Sequence, residues 1–197
     1  MMLQIGHRES YDIDLFIDDP QVLPYLNPST QGYILELNPD EYKTDGVRSL
    51  KMAFSGVGEI DFICAPSLTK DPFTQREVRG VQLDIETPGE IIAKKIHYRG
   101  GSLQPRDIFD LACVAKFYGD EYVIEILSPL KDKVGIALGV AERMEPDFAK
   151  GIIKQLQIRT EYQGILEIAH ERTIAILKAA CAHAPPPSNS ISSDRKL

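Results

Sequence analysis

At Thr87 the hydrophobic period of the chain changes from two to 3.6, and this switch constrains the fold more than any other feature. Upstream of it, short runs of β-branched and aromatic residues alternate with Gly, Pro, Asn and Asp turns, the spacing of a sheet. Strands are expected at Tyr11 to Ile17, Tyr33 to Leu37, Ser49 to Phe54, Glu59 to Cys64 and Glu77 to Glu86, the last with a bulge at Gly80. Thr87-Pro88-Gly89-Glu90 then reads as a helix start: Thr87 as N-cap, Pro88 at the first helical position, Glu90 closing a capping box. That helix should run to about Arg99. Further helices are expected over Pro105 to Tyr118, Asp120 to Leu127, Pro129 to Met144 with Ser128 as cap, Pro146 to Ile158, and Glu161 to Ala182.

Apolar stripes mark the faces that should turn inward. They are Ile92 and Ile96; Ile108, Leu111, Ala112 and Ala115; Phe148, Ile152 and Leu156; and Ile165, Ile168, Ala169, Ile176 and Ala180. Strands first and helices afterwards predict an α+β fold with a helical second lobe. The expected division is a sheet domain over residues 1–101, a helical bundle over 102–183 and a disordered tail over 184–197, APPPSNSISSDRKL.

The chemistry-bearing residues fall in two clusters. In GHRESYDIDLF, Gly6 to Phe16, Asp12 and Asp14 stand two apart and so share one face of a strand. Two carboxylates side by side repel unless a cation lies between them, and hard oxygen donors favour Mg²⁺. The plainer reading is a solvated edge whose charges block edge-to-edge pairing. Asp61 joins the pair if its strand neighbours the first. Three such carboxylates would hold two metal ions about 4 Å apart, the spacing that serves in-line phosphoryl displacement.

The second cluster is AKKIHYRGGSLQPRDIFDL, Ala93 to Leu111. Lys95 and Arg99 lie four apart on one expected helix, and Arg106 and Asp110 four apart on the next, with Asp107 between them. In a functional reading Lys95 and Arg99 grip a triphosphate, while Arg106, Asp107 and Asp110 fix those basic groups or the nucleotide. In a structural reading Arg106 and Asp110 form an ordinary i,i+4 pair on a wet helix face.

Several classes are excluded. The four histidines have no metal spacing, and zinc-protease, serine-elbow, P-loop and GxGxxG motifs are absent. A net charge of −7 argues against a surface wholly coated in nucleic acid. Cys64, Cys113 and Cys181 are too scattered for zinc or a disulfide framework and fit reduced thiols in a cytoplasm. The sequence has no apolar run long enough for a membrane span and no signal-peptide order at its start, so a cytoplasmic location is expected.

GHRESYDIDLF, followed in order by the capping box, AKKI and PRDIFDL, resembles the AbiEii/AbiGii-type nucleotidyltransferase toxins of the DNA polymerase β-like superfamily. The resemblance spans about residues 3 to 115. It implies a mixed-sheet nucleotidyltransferase core with a helical lobe facing it across a cleft. It also implies transfer of a nucleoside monophosphate from an NTP to an acceptor, for some relatives the 3′ end of tRNA, and a cognate antitoxin protein as partner. By the same resemblance Asp12, Asp14 and Asp61 are the metal-binding and catalytic carboxylates for two Mg²⁺ ions. Lys95 takes the place of the family lysine, and Arg106, Asp107 and Asp110 that of the RDxxDL helix start. The family normally places a Gly-Gly or Gly-Ser turn ahead of the aspartate strand, where backbone N–H groups cradle the triphosphate. That turn is not in this sequence, and weak NTP binding is expected. The alternative is a catalytically inactive protein on the same fold that acts by gripping a protein partner.

Overall fold

A computed structural model describes residues 1–183; the expected tail, 184–197, lies outside the described residues. The chain groups into two compact units: Ser10–Ser67, and Met1–Glu9 together with the chain from Leu68 onward. It is an α+β protein, with its sheet early and its helices late.

The chain opens with one helical turn, α1 (Met2–Ile5), which Gly6 ends in a left-handed conformation. The 10–67 unit follows, built on a four-stranded mixed sheet. Its elements are β1 (Ile13–Ile17), the short α2 (Pro28–Gln31), β2 (Glu41–Thr44), β3 (Ser49–Phe54) and β4 (Gly58–Cys64). The strand order is β1-β4-β3-β2, with β1 parallel to β4 and the other pairs antiparallel.

Tyr33 to Leu37 forms no strand, although its composition suggests one. Its apolar side chains pack little: Ile34 is fully exposed, Tyr33 and Leu37 are more than half exposed, and only Leu35 is partly buried. The edge strand is instead Glu41–Thr44, whose charged Glu41 and Lys43 suit an unpaired edge. The β3–β4 turn depends on Gly58. Its φ is +146°, and a Cβ there would lie 2.3 Å from the carbonyl oxygen of Tyr11.

In the other unit β5 (Phe73–Val78) and β6 (Val81–Glu86) form a two-stranded hairpin where one bulged strand was expected. Arg79 and Gly80 both take positive φ, 52° and 81°, as a two-residue hairpin turn matched to strand twist requires. The helices are α3 (Pro88–Arg99), α4 (Pro105–Tyr118), α5 (Asp120–Leu127), α6 (Lys131–Arg143), α7 (Pro146–Ile153) and α8 (Ile165–Ala182). α4 is central, packing on α8, α5, α7 and α3. Ile108, Leu111, Ala112 and Ala115 line its buried side, as their spacing predicts, and Phe109 is buried beside them.

Three helices differ from expectation. Ser128–Leu130 is a 3-10 turn, and the Ser128 hydroxyl donates to the Glu125 carbonyl instead of capping α6. α7 stops at Ile153 because the chain beyond it bonds to the N-terminal segment: Glu9 N–H donates to Gln157 O, and Arg159 N–H to His7 O. Its inward residues are Ala149 and Ile153, while Phe148 is more than half exposed. The last helix starts at Ile165, after a 3-10 turn at Thr160–Tyr162, and leaves Ile168 nearly half exposed.

The expected sheet/helix division after residue 101 differs from this grouping. α3 belongs with the later helices because Ile92 and Ile96 share their core. The capping box is half made. Thr87 Oγ1 accepts from Glu90 N–H at 3.2 Å, but the buried Glu90 carboxylate turns to the N–H groups of Leu68 and Thr69 and the Thr69 hydroxyl. Three donors satisfy a charge that burial would otherwise make costly.

Candidate active site

Strand alternation sorts the side chains of the 10–67 unit into two faces. Leu50, Met52, Ile60 and Phe62 lie on one, where Leu50 and Met52 are buried. The other carries charge. The ladder sets Asp14 beside Asp61, Asp61 beside Lys51, and Lys51 beside Lys43, giving a row of two negative and two positive groups across β1-β4-β3-β2. The conditional placement of Asp61 is met for Asp14, since β4 is β1's neighbour and the two are direct register partners; Asp12 lies outside the ladder. Adjacent strands lie about 4.8 Å apart, so the two carboxylates can bind one ion jointly.

Asp12 is exposed, one residue ahead of β1. It lines an open groove of about 510 Å³ with Ser55, Gly56 and Glu59. Asp61 is partly buried, and that burial pushes its carboxyl above the usual carboxylate range; the charge of Asp14 adds to the push, and Lys51 opposes it. Lys51 Nζ lies 3.2 Å from Asp61 Oδ2 and 2.5 Å from Glu59 Oε2.

Among the described residues no three His, Cys, Asp or Glu side chains converge closely enough to enclose a metal ion. Mg²⁺ does not demand such a cage. It keeps several waters and binds through one or two carboxylates plus substrate phosphates. By donor chemistry and register the Asp14–Asp61 pair fits that requirement.

The second expected group sits in the other unit and forms a buried ionic network. Lys95 Nζ donates to Asp107 Oδ1 at 2.8 Å and to Asp110 Oδ2 at 2.5 Å. Arg99 donates to Asp107 at 3.2 Å. Asp107 also accepts the N–H of Gln104 and so caps α4. Arg106 does not join them; it is exposed.

Asp110, fully buried, takes two further partners. Arg8 donates at 2.8 and 3.1 Å, and His7 Nε2 donates at 2.7 Å. Burial by itself would push the Asp110 carboxyl up, but Lys95, His7 and Arg8 outweigh it and hold the group well below the usual range.

His7 and Arg8 were not among the expected site residues, nor were Lys51 and Glu59. For the first pair the signal was their place in GHRE, directly before the aspartates. Their partner lies more than a hundred positions away, beyond the reach of periodicity.

The four-stranded mixed sheet carries Asp14 and Asp61 on one face, and the helical unit carries the Lys95, Arg99, Asp107 and Asp110 network. The family model for the nucleotidyl transferase AbiEii toxin of type IV toxin–antitoxin systems matches residues 1–128, and the chain belongs to that family. Comparison with curated proteins gives no match. Among solved structures, the crystal structure of a candidate nucleotidyltransferase from H. pylori is 17% identical with a TM-score of 0.46, covering 91% of this chain and 82% of that one.

Proposed function

We propose that this chain is an Mg²⁺-dependent nucleotidyltransferase that moves a nucleoside monophosphate from an NTP to an acceptor such as the 3′ end of tRNA. The observation that carries the reading is the in-register placement of Asp14 and Asp61 on one sheet face. Asp12, Asp14 and Asp61 would hold two Mg²⁺ ions, which supply charge stabilisation and activation of an attacking hydroxyl when bound. Lys95 uses two of its three N–H donors on Asp107 and Asp110, leaving one for a phosphate oxygen. Asp107 and Asp110 orient Lys95 and Arg99, and exposed Arg106 offers a further cation to a phosphate. Membership in a toxin–antitoxin family makes an antitoxin protein the proposed partner.

A second reading, a non-catalytic module that grips a protein partner, draws on the same network. The donors expected to hold phosphate are largely spent on buried carboxylates. Transfer of label from each α-labelled NTP to total tRNA with Mg²⁺ separates the two. Label that appears with wild type and vanishes with Asp14→Asn supports the enzyme; silence from folded protein with every NTP favours the binding module.

A further inference from the structure

Lys51 occupies an unusual place on the acidic face. It projects from β3 on the side of Asp61 opposite Asp14, and its ammonium bridges Asp61 and Glu59. The shorter contact is to Glu59. Lys43, next along the row, is spent on Glu41 at 2.9 Å and is about two-thirds exposed. Lys51 therefore neutralises the very carboxylate that Asp14 leaves in a like-charge pair.

We infer that Lys51 is a tethered counter-cation that competes with a divalent metal for Asp61 and withdraws onto Glu59 when the metal binds. The inference rests on the reading of Asp14 and Asp61 as metal ligands. A carboxylate that gives lone pairs to an ammonium and lies beside a second carboxylate satisfies the face without an ion. Loading then exchanges one cation for another, and Glu59 supplies a second seat, so the displaced ammonium is not left unpaired. Lys51 on this account positions Asp61 and does not touch substrate. The device keeps a like-charge strand pair compatible with folding before metal arrives and sets the metal affinity of the face.

The test is direct Mn²⁺ titration of the full chain, following free Mn²⁺ by electron paramagnetic resonance, with no nucleotide and no turnover. Lys51→Met keeps the apolar stem and removes the competitor, and should tighten Mn²⁺ binding about tenfold, which lies between the effects of one unit charge at short range in bulk water and near a protein surface. Lys43→Met removes the same charge one strand farther away and should change it by less than about threefold. Glu59→Gln removes the second seat and should weaken binding more than Glu41→Gln does, whether or not Lys51→Met folds.

Equal or weaker binding by folded Lys51→Met, an equal gain from Lys43→Met, or no loss from Glu59→Gln overturns the inference. Asp14→Asn separates this failure from failure of the underlying reading. If wild type binds Mn²⁺ and Asp14→Asn abolishes it, the metal site stands even where Lys51 has no effect. Binding that Asp14→Asn leaves untouched removes the site and the role of Lys51 with it.

Discussion

Asp14 and Asp61 are direct partners in the one parallel ladder of the four-stranded sheet. Like charges placed directly opposite destabilise a strand pair. Their persistence on adjacent strands calls for a compensating cation, and Lys51 at 3.2 Å from Asp61 supplies part of it.

Removing one charge of the pair should therefore leave the fold intact. Asp14→Asn is expected to unfold at the same temperature as wild type or slightly higher, because the repulsion on Asp61 falls. A scanning-fluorimetry melt checks this, and a clear drop in Tm would mean that Asp14 carries structure.

Asp110 should behave in the opposite way. It is fully buried and accepts from Lys95, Arg8 and His7. Asp110→Ala leaves buried cations without their partner, a change that costs about 3–5 kcal/mol. Urea denaturation monitored by circular dichroism measures the loss, and a cost under about 1 kcal/mol would contradict the central role of the network.

The same group sets the acid response. Its folded value lies well below the unfolded one, so its stabilisation is complete above the ordinary carboxylate range, near pH 4, and is lost as pH falls toward the folded value. Asp45, held at about 2 by the N–H groups of Arg48, Val47 and Ser49, works in the same sense. Asp61 is raised and works against both: protonation on acidification relieves its burial and its repulsion from Asp14. Stability should thus be flat from pH 7 to about 5 and fall steeply below 4. Asp110→Asn should flatten that fall in a series of urea melts at stepped pH.

Gly58 is expected to tolerate no side chain. Its φ and the 2.3 Å approach to Tyr11 O mean that Gly58→Ala must shift backbone, costing more than about 1 kcal/mol. Gly56→Ala, with positive φ but open space, should cost less. Paired urea melts rank the two.

Cys113 is fully buried, and burial pushes its thiol well above its ordinary value. It should resist a thiol-reactive probe at neutral pH until the protein is denatured, whereas the partly exposed Cys64 and Cys181 react in the native state.

The helical unit was the more legible half. α3, α4 and α5 follow from N-cap, Pro and Gly signals together with the 3.6 period, which are local. The period-two pattern was enough to place Asp14 and Asp61 on one face once their strands were neighbours, whereas Asp12 lies ahead of the ladder. What local pattern misses is pairing. Glu41–Thr44 forms a strand because β3 offers it an edge, while the more apolar Tyr33 to Leu37 has no such partner. Spacing alone points Phe148 inward, yet the face of α7 that packs is set by Ala149 and Ile153, one position on. The same limit hid His7, Arg8 and Lys51, whose partners are brought to them only by the tertiary fold.

The most direct test of the central claim is where a divalent ion binds. Crystals soaked in Mn²⁺ should show an anomalous peak about 2.1 Å from carboxylate oxygens of both Asp14 and Asp61. A peak shared by those two residues is the predicted result. Ions found only at other carboxylates, with Lys51 still seated on Asp61, would contradict the account.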